Sequence, residues 1–185
     1  MDQPTGTSLG AQLWSEIGHC ALAAGRVEDA DALFGRALTE KTSLMYVSRP
    51  SALIGKIKVA LLQGRLDEAR TILSELEQYV GERGMQDWQP EVWLTAAQVH
   101  ASSNDYSAAL ENLAECHDIA AASGMRKVLL DVHRARAEIL SAQGKHDEAE
   151  AARTAAREVG AAIAADMPTE SLRTAFTNEA AKRLS

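Results

Sequence analysis

The sequence is poor in cysteine, proline and aromatic residues: 2 Cys, 4 Pro and 4% Phe, Trp and Tyr among 185 residues. The two cysteines, Cys20 and Cys116, lie far apart, which speaks against a disulfide framework and for a reduced, cytoplasmic chain. No CxxC pair with zinc spacing occurs, and no metal or other cofactor is expected. Alternating β-branched runs bounded by turn residues are absent, which excludes a sheet protein. No apolar run approaches the 18 residues of a membrane-spanning helix. The opening "MDQPTGTSLG" has neither the basic nor the apolar part of a signal peptide, and residues 1–8 read as a flexible lead-in. Positive charge is short too. The net charge of −7 gives no electrostatic footprint for nucleic acid or an anionic membrane, and neither is expected as a partner. No "GxxxxGK" loop is present to cradle phosphates, and no helix-turn-helix stands out.

What the chain has in abundance is alanine and a recurring phrase. "LAAGRVEDADALF" at 22–34 returns as "LLQGRLDEARTIL" at 61–73, more weakly as "ASSNDYSAALENL" at 101–113, and as "SAQGKHDEAEAAR" at 141–153. Aligned on Gly25, Gly64, Asn104 and Gly144, the copies step by 39, 40 and 40 residues. A period in that range marks a helical repeat array. Glycine or asparagine in this slot tolerates a positive φ and closes a helix. Acids then open the next helix, as Glu28 and Asp29, Asp67 and Glu68, Asp147 and Glu148, where they oppose the helix dipole. Five residues after the slot stands Ala30, Ala69, Ala109 or Ala149, small enough for two helices to approach closely. Eleven residues before it stands Trp14, Leu53 or Trp93, expected in the core, with His133 as a departure in the fourth copy. Pro50 and Pro90 suit the first turn of a helix.

Each copy therefore reads as helix A, a tight turn and helix B. The expected spans are 9–24 and 27–41, 49–63 and 66–83, 90–102 and 106–122, 126–143 and 146–165. Leu172, Phe176 and Ala180 share one helical face of a final segment, 169–184, expected to cap the stack. The expected fold is all-α: a right-handed α-solenoid of four hairpin repeats (about 11–44, 50–85, 90–123 and 130–165) plus a C-terminal capping helix. Residues 9–185 are expected to form a single domain.

Trp14, Ile17, Gly18, Gly25, Ala30, Phe34 and Ala37 resemble the tetratricopeptide-repeat (TPR) pattern. Later copies match it in part, through Leu53, Gly64, Ala69 and Leu73, then Trp93, Tyr106, Ala109 and Leu113, then Gly144 and Ala149. The long period is similar to that of the C-terminal arms of maltose-regulator-type bacterial signalling ATPases, as is the closing phrase of Leu172, Arg173 and Phe176. The resemblance covers about residues 9–184. It implies either the sensor or scaffold arm of a larger bacterial regulator or a stand-alone adaptor, in both cases a binding module and not an enzyme.

Candidate chemistry is thin. Cys20 follows His19 and Cys116 precedes His117, but adjacent helical residues point about 100° apart and cannot close on one ion unaided. Matched to the TPR register, the A helices present Ser15 and His19, then Ile54, Lys58 and Leu61, then Leu94 and Gln98, then Arg134 and Glu138 toward a concave groove. This lining is apolar in the middle, and only Lys58 and Arg134 are basic. A groove of that kind suits a protein or peptide with apolar anchors and one or two complementary charges, and not a clamp for a C-terminal carboxylate. Trp88, outside the repeat register, is a further candidate anchor. A small-molecule effector held in the same groove, and self-association into a homo-oligomer, are the alternative expectations.

Overall fold

The computed structural model describes residues 10–40 and 45–182. The lead-in, Leu9, Lys41 and the last two residues of the expected capping helix lie outside the described residues. The elements in order are α1 (Gly10–Ala23), α2 (Val27–Thr39), α3 (Met45–Leu62), α4 (Leu66–Glu82), a 3-10 turn (Gln86–Trp88), α5 (Gln89–Ser102), α6 (Tyr106–Ala122), α7 (Arg126–Ala142), α8 (His146–Ala165) and α9 (Glu170–Lys182). No strand occurs among the described residues, and the fold is all-α. Helix contacts gather into two compact units, Met1–Trp88 and Gln89–Ser185, where the sequence suggests one domain.

The corners explain the hairpins. Gly25, Gly64 and Gly144 have φ of 73°, 70° and 74°, and Asn104 follows at 60°. In each corner the slot residue donates its N–H three residues back, at 2.9–3.1 Å. The following residue donates five back: Arg26 to Ala21, Arg65 to Ala60, Asp105 to His100 and Lys145 to Leu140, at 2.8–3.0 Å. Both bonds together form a Schellman closure, which needs a left-handed residue at the slot. The same closure ends α4 and α6, at Gly84 (φ 59°) and Gly124 (φ 66°), with Met85 donating to Val80 and Met125 to Ala120. Of the four B helices, only α6 is capped by the side chain preceding it, with Asp105 Oδ1 accepting from the Ala108 N–H at 3.2 Å. Arg26, Arg65 and Lys145 offer no such oxygen, so the acids of the first turn are left to answer the exposed N–H groups of α2, α4 and α8.

One helix departs from expectation. α3 begins at Met45, so Pro50 sits inside it and not in its first turn. Its ring withholds an N–H from the carbonyl four residues back, a loss the helix absorbs. Pro90, second residue of α5, is placed as expected.

In the first unit, α2 packs between α1 and α3. Phe34 is fully buried, with Ala21, Ala30, Ala37, Ala52 and Val59 around it. Gly18 of α1 and Gly55 of α3 stand against its ring, so close that a Cβ at Gly18 would lie 2.7 Å from Cε1. Trp14 is not a core residue: it is half-buried at the margin of this cluster, donating Nε1–H to Glu40 Oε1 at 3.2 Å beneath the Arg36 guanidinium, 3.8 Å from the ring. In the second unit Ala109, Leu113, Cys116 and Ala120 of α6 meet Val128, Val132, Ala135 and Ile139 of α7, with Trp93 half-buried against them. The recurring alanines Ala30, Ala69, Ala109 and Ala149 all have no exposed surface.

Candidate functional site

The residues expected to line a groove fall on the A helices α1 and α3 of the first unit and α5 and α7 of the second. α1 packs on α3, and α5 on α7, so each unit brings two A helices side by side.

In the first unit Ser15 and Ile54 are buried, at 1% and 6% exposure, and back the lining without contributing surface. Ser15 Oγ lies 2.9 Å from Ser51 Oγ, and His19 Nε2 lies 3.1 Å from the same hydroxyl. These bonds join α1 to α3 through a serine on each helix. The His19 ring also meets Phe34 edge-on at 4.9 Å, which fixes its orientation. Lys58 and Leu61 are half-buried on α3, and Leu62 beside them is 65% exposed. Among the residues of α3 expected in the groove and their neighbours, the apolar surface is therefore Leu61 and Leu62, not Ile54.

The second unit carries more charge. Asp131, Arg134 and Glu138 recur at helical spacing along one face of α7, and Glu91, Leu94 and Gln98 along one face of α5. α5 packs on α7, and burial first, then Glu91 and Asp131, push the Cys116 thiol up to about 12. That thiol donates to the Pro90 carbonyl at 3.1 Å and behaves as a core hydrophobe, not a nucleophile. The Arg134 side chain is only 13% exposed, and Asp131 Oδ1 sits 3.6 Å from its Nη1. Its Nε is buried without a hydrogen-bond partner. Glu138 has its carboxyl raised by partial desolvation, with Arg134 drawing it back, although the residue keeps more than a third of its surface open. Leu94 packs half-buried beside the core, and Gln98 is half-buried one turn on.

Trp88 sits in the 3-10 turn Gln86–Trp88, half-buried, with its N–H bonded to the Met85 carbonyl at 3.0 Å. His133, in the fourth copy's tryptophan slot, meets His117 edge-on at 5.5 Å. Burial first, then His117 and Arg136, hold it below the usual imidazole range, against a smaller pull from Glu158. Among the described residues no three His, Cys, Asp or Glu side chains converge as metal ligands, and no helix is long and apolar enough to cross a membrane. Register alone does not pair Asp131 with Arg134. The spacing of three residues on a helix is the signal that does.

No curated protein matches the chain. The family model for the tetratricopeptide repeat matches residues 50–75 and 130–158, which span the second and fourth A–B corners. Over those two hairpins the chain is similar to the tetratricopeptide repeat, and the same left-handed closure recurs at Gly25 and Asn104.

Proposed function

We propose that the chain is a non-enzymatic scaffold or regulatory module that holds a protein or peptide against its A helices. Repeats of this kind generally mediate protein association, and each unit of the chain offers an A-helix face of its own character. The observation that carries the reading is Arg134. Its side chain keeps only 13% of its surface open with Asp131 3.6 Å away, so the guanidinium is a largely desolvated cation on this face. A partner's carboxylate would pair with the part of the guanidinium that remains open, and such largely desolvated arginines are characteristic anchors of protein interfaces. Leu94 beside the second unit's core, and Leu61 and Leu62 in the first unit, supply the apolar contact. Lys58 is the second cationic position and sets the register of an acidic residue in the partner. A helix or extended peptide with spaced apolar side chains and one or two acids fits this lining.

The test is a peptide selected from a random library on the whole chain. Its affinity is then measured for the native chain and for Arg134→Glu, Lys58→Glu and Leu94→Ala. Truncation or reversal of a central contact costs at least about 1–2 kcal/mol, so affinity should fall by about tenfold for Arg134→Glu. Unchanged affinity in all three variants, with helix content retained, would remove these faces from the binding site.

A further inference from the structure

Among the described residues, α1 and the α8–α9 pair each leave apolar surface open. On α1, Leu13 is 55% exposed and Ile17 38%, and the exposed Glu16 and Cys20 fall on the same helical face. In the repeat register Leu13 and Cys20 correspond to Ala52 and Val59 in the second copy, Val92 and Val99 in the third, and Val132 and Ile139 in the fourth. All six are buried, at 4% exposure or less. Ala52 and Val59 pack with Ala30, Phe34 and Ala37 of the preceding B helix, α2. Val132 and Ile139 pack with Ala109, Leu113 and Cys116 of the preceding α6. These slots therefore receive a B helix. On α1 the same slots carry exposed leucine and, one turn on, isoleucine, the character of a face that receives a helix.

In the second unit α9 covers α8 incompletely. A cavity of about 670 Å³ opens between them. Ala156, Gly160 and Ala164 line it from α8 and Phe176 and Ala180 from α9, with Arg157 and Arg173 at its walls. Small side chains on both helices leave this space open. Arg157 pairs with Glu150 at 2.8 Å and Arg173 with Glu170 at 3.5 Å, and all four groups are solvent-exposed enough to exchange partners at little cost.

We propose that a second copy of this chain fills the cavity: the Leu13–Ile17 ridge of one α1 seats between α8 and α9 of the next copy. Glu16, on the ridge, then faces Arg157 and Arg173, so the charges match as well as the shapes. The contact is heterologous, joining unlike ends, and builds chains of copies unless the geometry closes a ring. One helix in one groove lies at the small end of interface sizes, so association is weak and depends on concentration.

Sedimentation velocity of the native chain from about 10 to 500 µM brackets the affinities such contacts reach. The mass should rise with concentration. Leu13→Glu with Ile17→Glu, and separately Ala161→Trp, which fills the cavity from an exposed position, should each hold the mass at one chain. The first variant keeps its cavity and the second its ridge, so mixing them should give a two-chain complex and nothing larger. Glu16→Arg should weaken association about tenfold, and adding Arg157→Glu with Arg173→Glu should restore most of it, which guards against misfolding of the ridge variant. A native chain that stays single throughout, association that survives Ala161→Trp, or a charge exchange that restores nothing would each overturn the proposal.

Discussion

Replacing Gly55 by alanine sets two effects against each other at one atom. Gly55 lies within α3, and an alanine is favoured there over glycine by about 1 kcal/mol of helix propensity. Its Cβ, however, would fall closer than 3.0 Å to the Cε1, Cζ and Cε2 atoms of Phe34. The ring cannot retreat easily. It is fully buried, and Gly18 of α1 confines it from a second helix, where a Cβ would meet Cδ1 at 2.9 Å. Overpacking of a dense core costs about 1–3 kcal/mol, and the enclosure of this ring places the cost at the upper end. The net loss should be about 1–2 kcal/mol, which for a chain of this size lowers Tm by about 2–8 °C. Gly35, adjacent to Phe34 in the sequence, is the control: a Cβ there meets nothing within 4 Å, so Gly35→Ala should gain about 1 kcal/mol and raise Tm by about 2–4 °C. Urea and thermal melts followed by circular dichroism read both. In a Phe34→Leu background the Gly55→Ala change should lose most of its penalty, because the smaller side chain vacates the space. If Gly55→Ala raises stability as Gly35→Ala does, or costs the same in the Phe34→Leu background as in the native chain, the sandwiched ring is not what holds α1, α2 and α3 together.

In the folded protein, iodoacetamide should alkylate the exposed Cys20 and leave the buried Cys116 intact, with both reacting in urea; mass spectrometry of digested peptides distinguishes them. His133 is held below its usual range, so stability that depends on its neutral form is complete above the unfolded value of about 6.5 and is lost as pH falls toward the lower folded value. Tm should therefore drop between neutral and mildly acid pH, and drop less in His133→Leu, which copies the second repeat's Leu53. Asp105→Ala removes the capping oxygen of α6 and should cost about 1 kcal/mol, whereas Ser107→Ala on the exposed turn beside it should cost less than about 0.5 kcal/mol. Gly144→Ala forces a Cβ into a left-handed corner and should cost about 1–2 kcal/mol, visible as a lowered urea midpoint.

Helix positions are legible in the sequence because each corner demands a rare residue. Only glycine or asparagine accepts φ near 60–74° without strain, so Gly25, Gly64, Asn104 and Gly144 mark the A–B turns, and α6 and α8 begin and end where the pattern places them. The corresponding glycines after the B helices, Gly84 and Gly124, recur at the same 40-residue step but are harder to recognise, because the first copy has no match and ends in an extended Glu40. Burial is less legible. A register states which way a side chain points along its helix, not how near the neighbouring helix stands. Ser15 and Ile54, expected to line the groove, are covered, and Leu62 is left open. Trp14 occupies the slot of a core residue and sits at its margin, because Glu40 and Arg36 give its polar edge and ring face partners near solvent. The Phe34 sandwich depends on two glycines from different copies meeting one ring, which no single-helix pattern encodes.

Within each unit, the helices that pack most extensively lie one or two apart along the chain. Within a unit little of the structure thus waits on residues made much later, so each helix can pack on its predecessor soon after it leaves the ribosome.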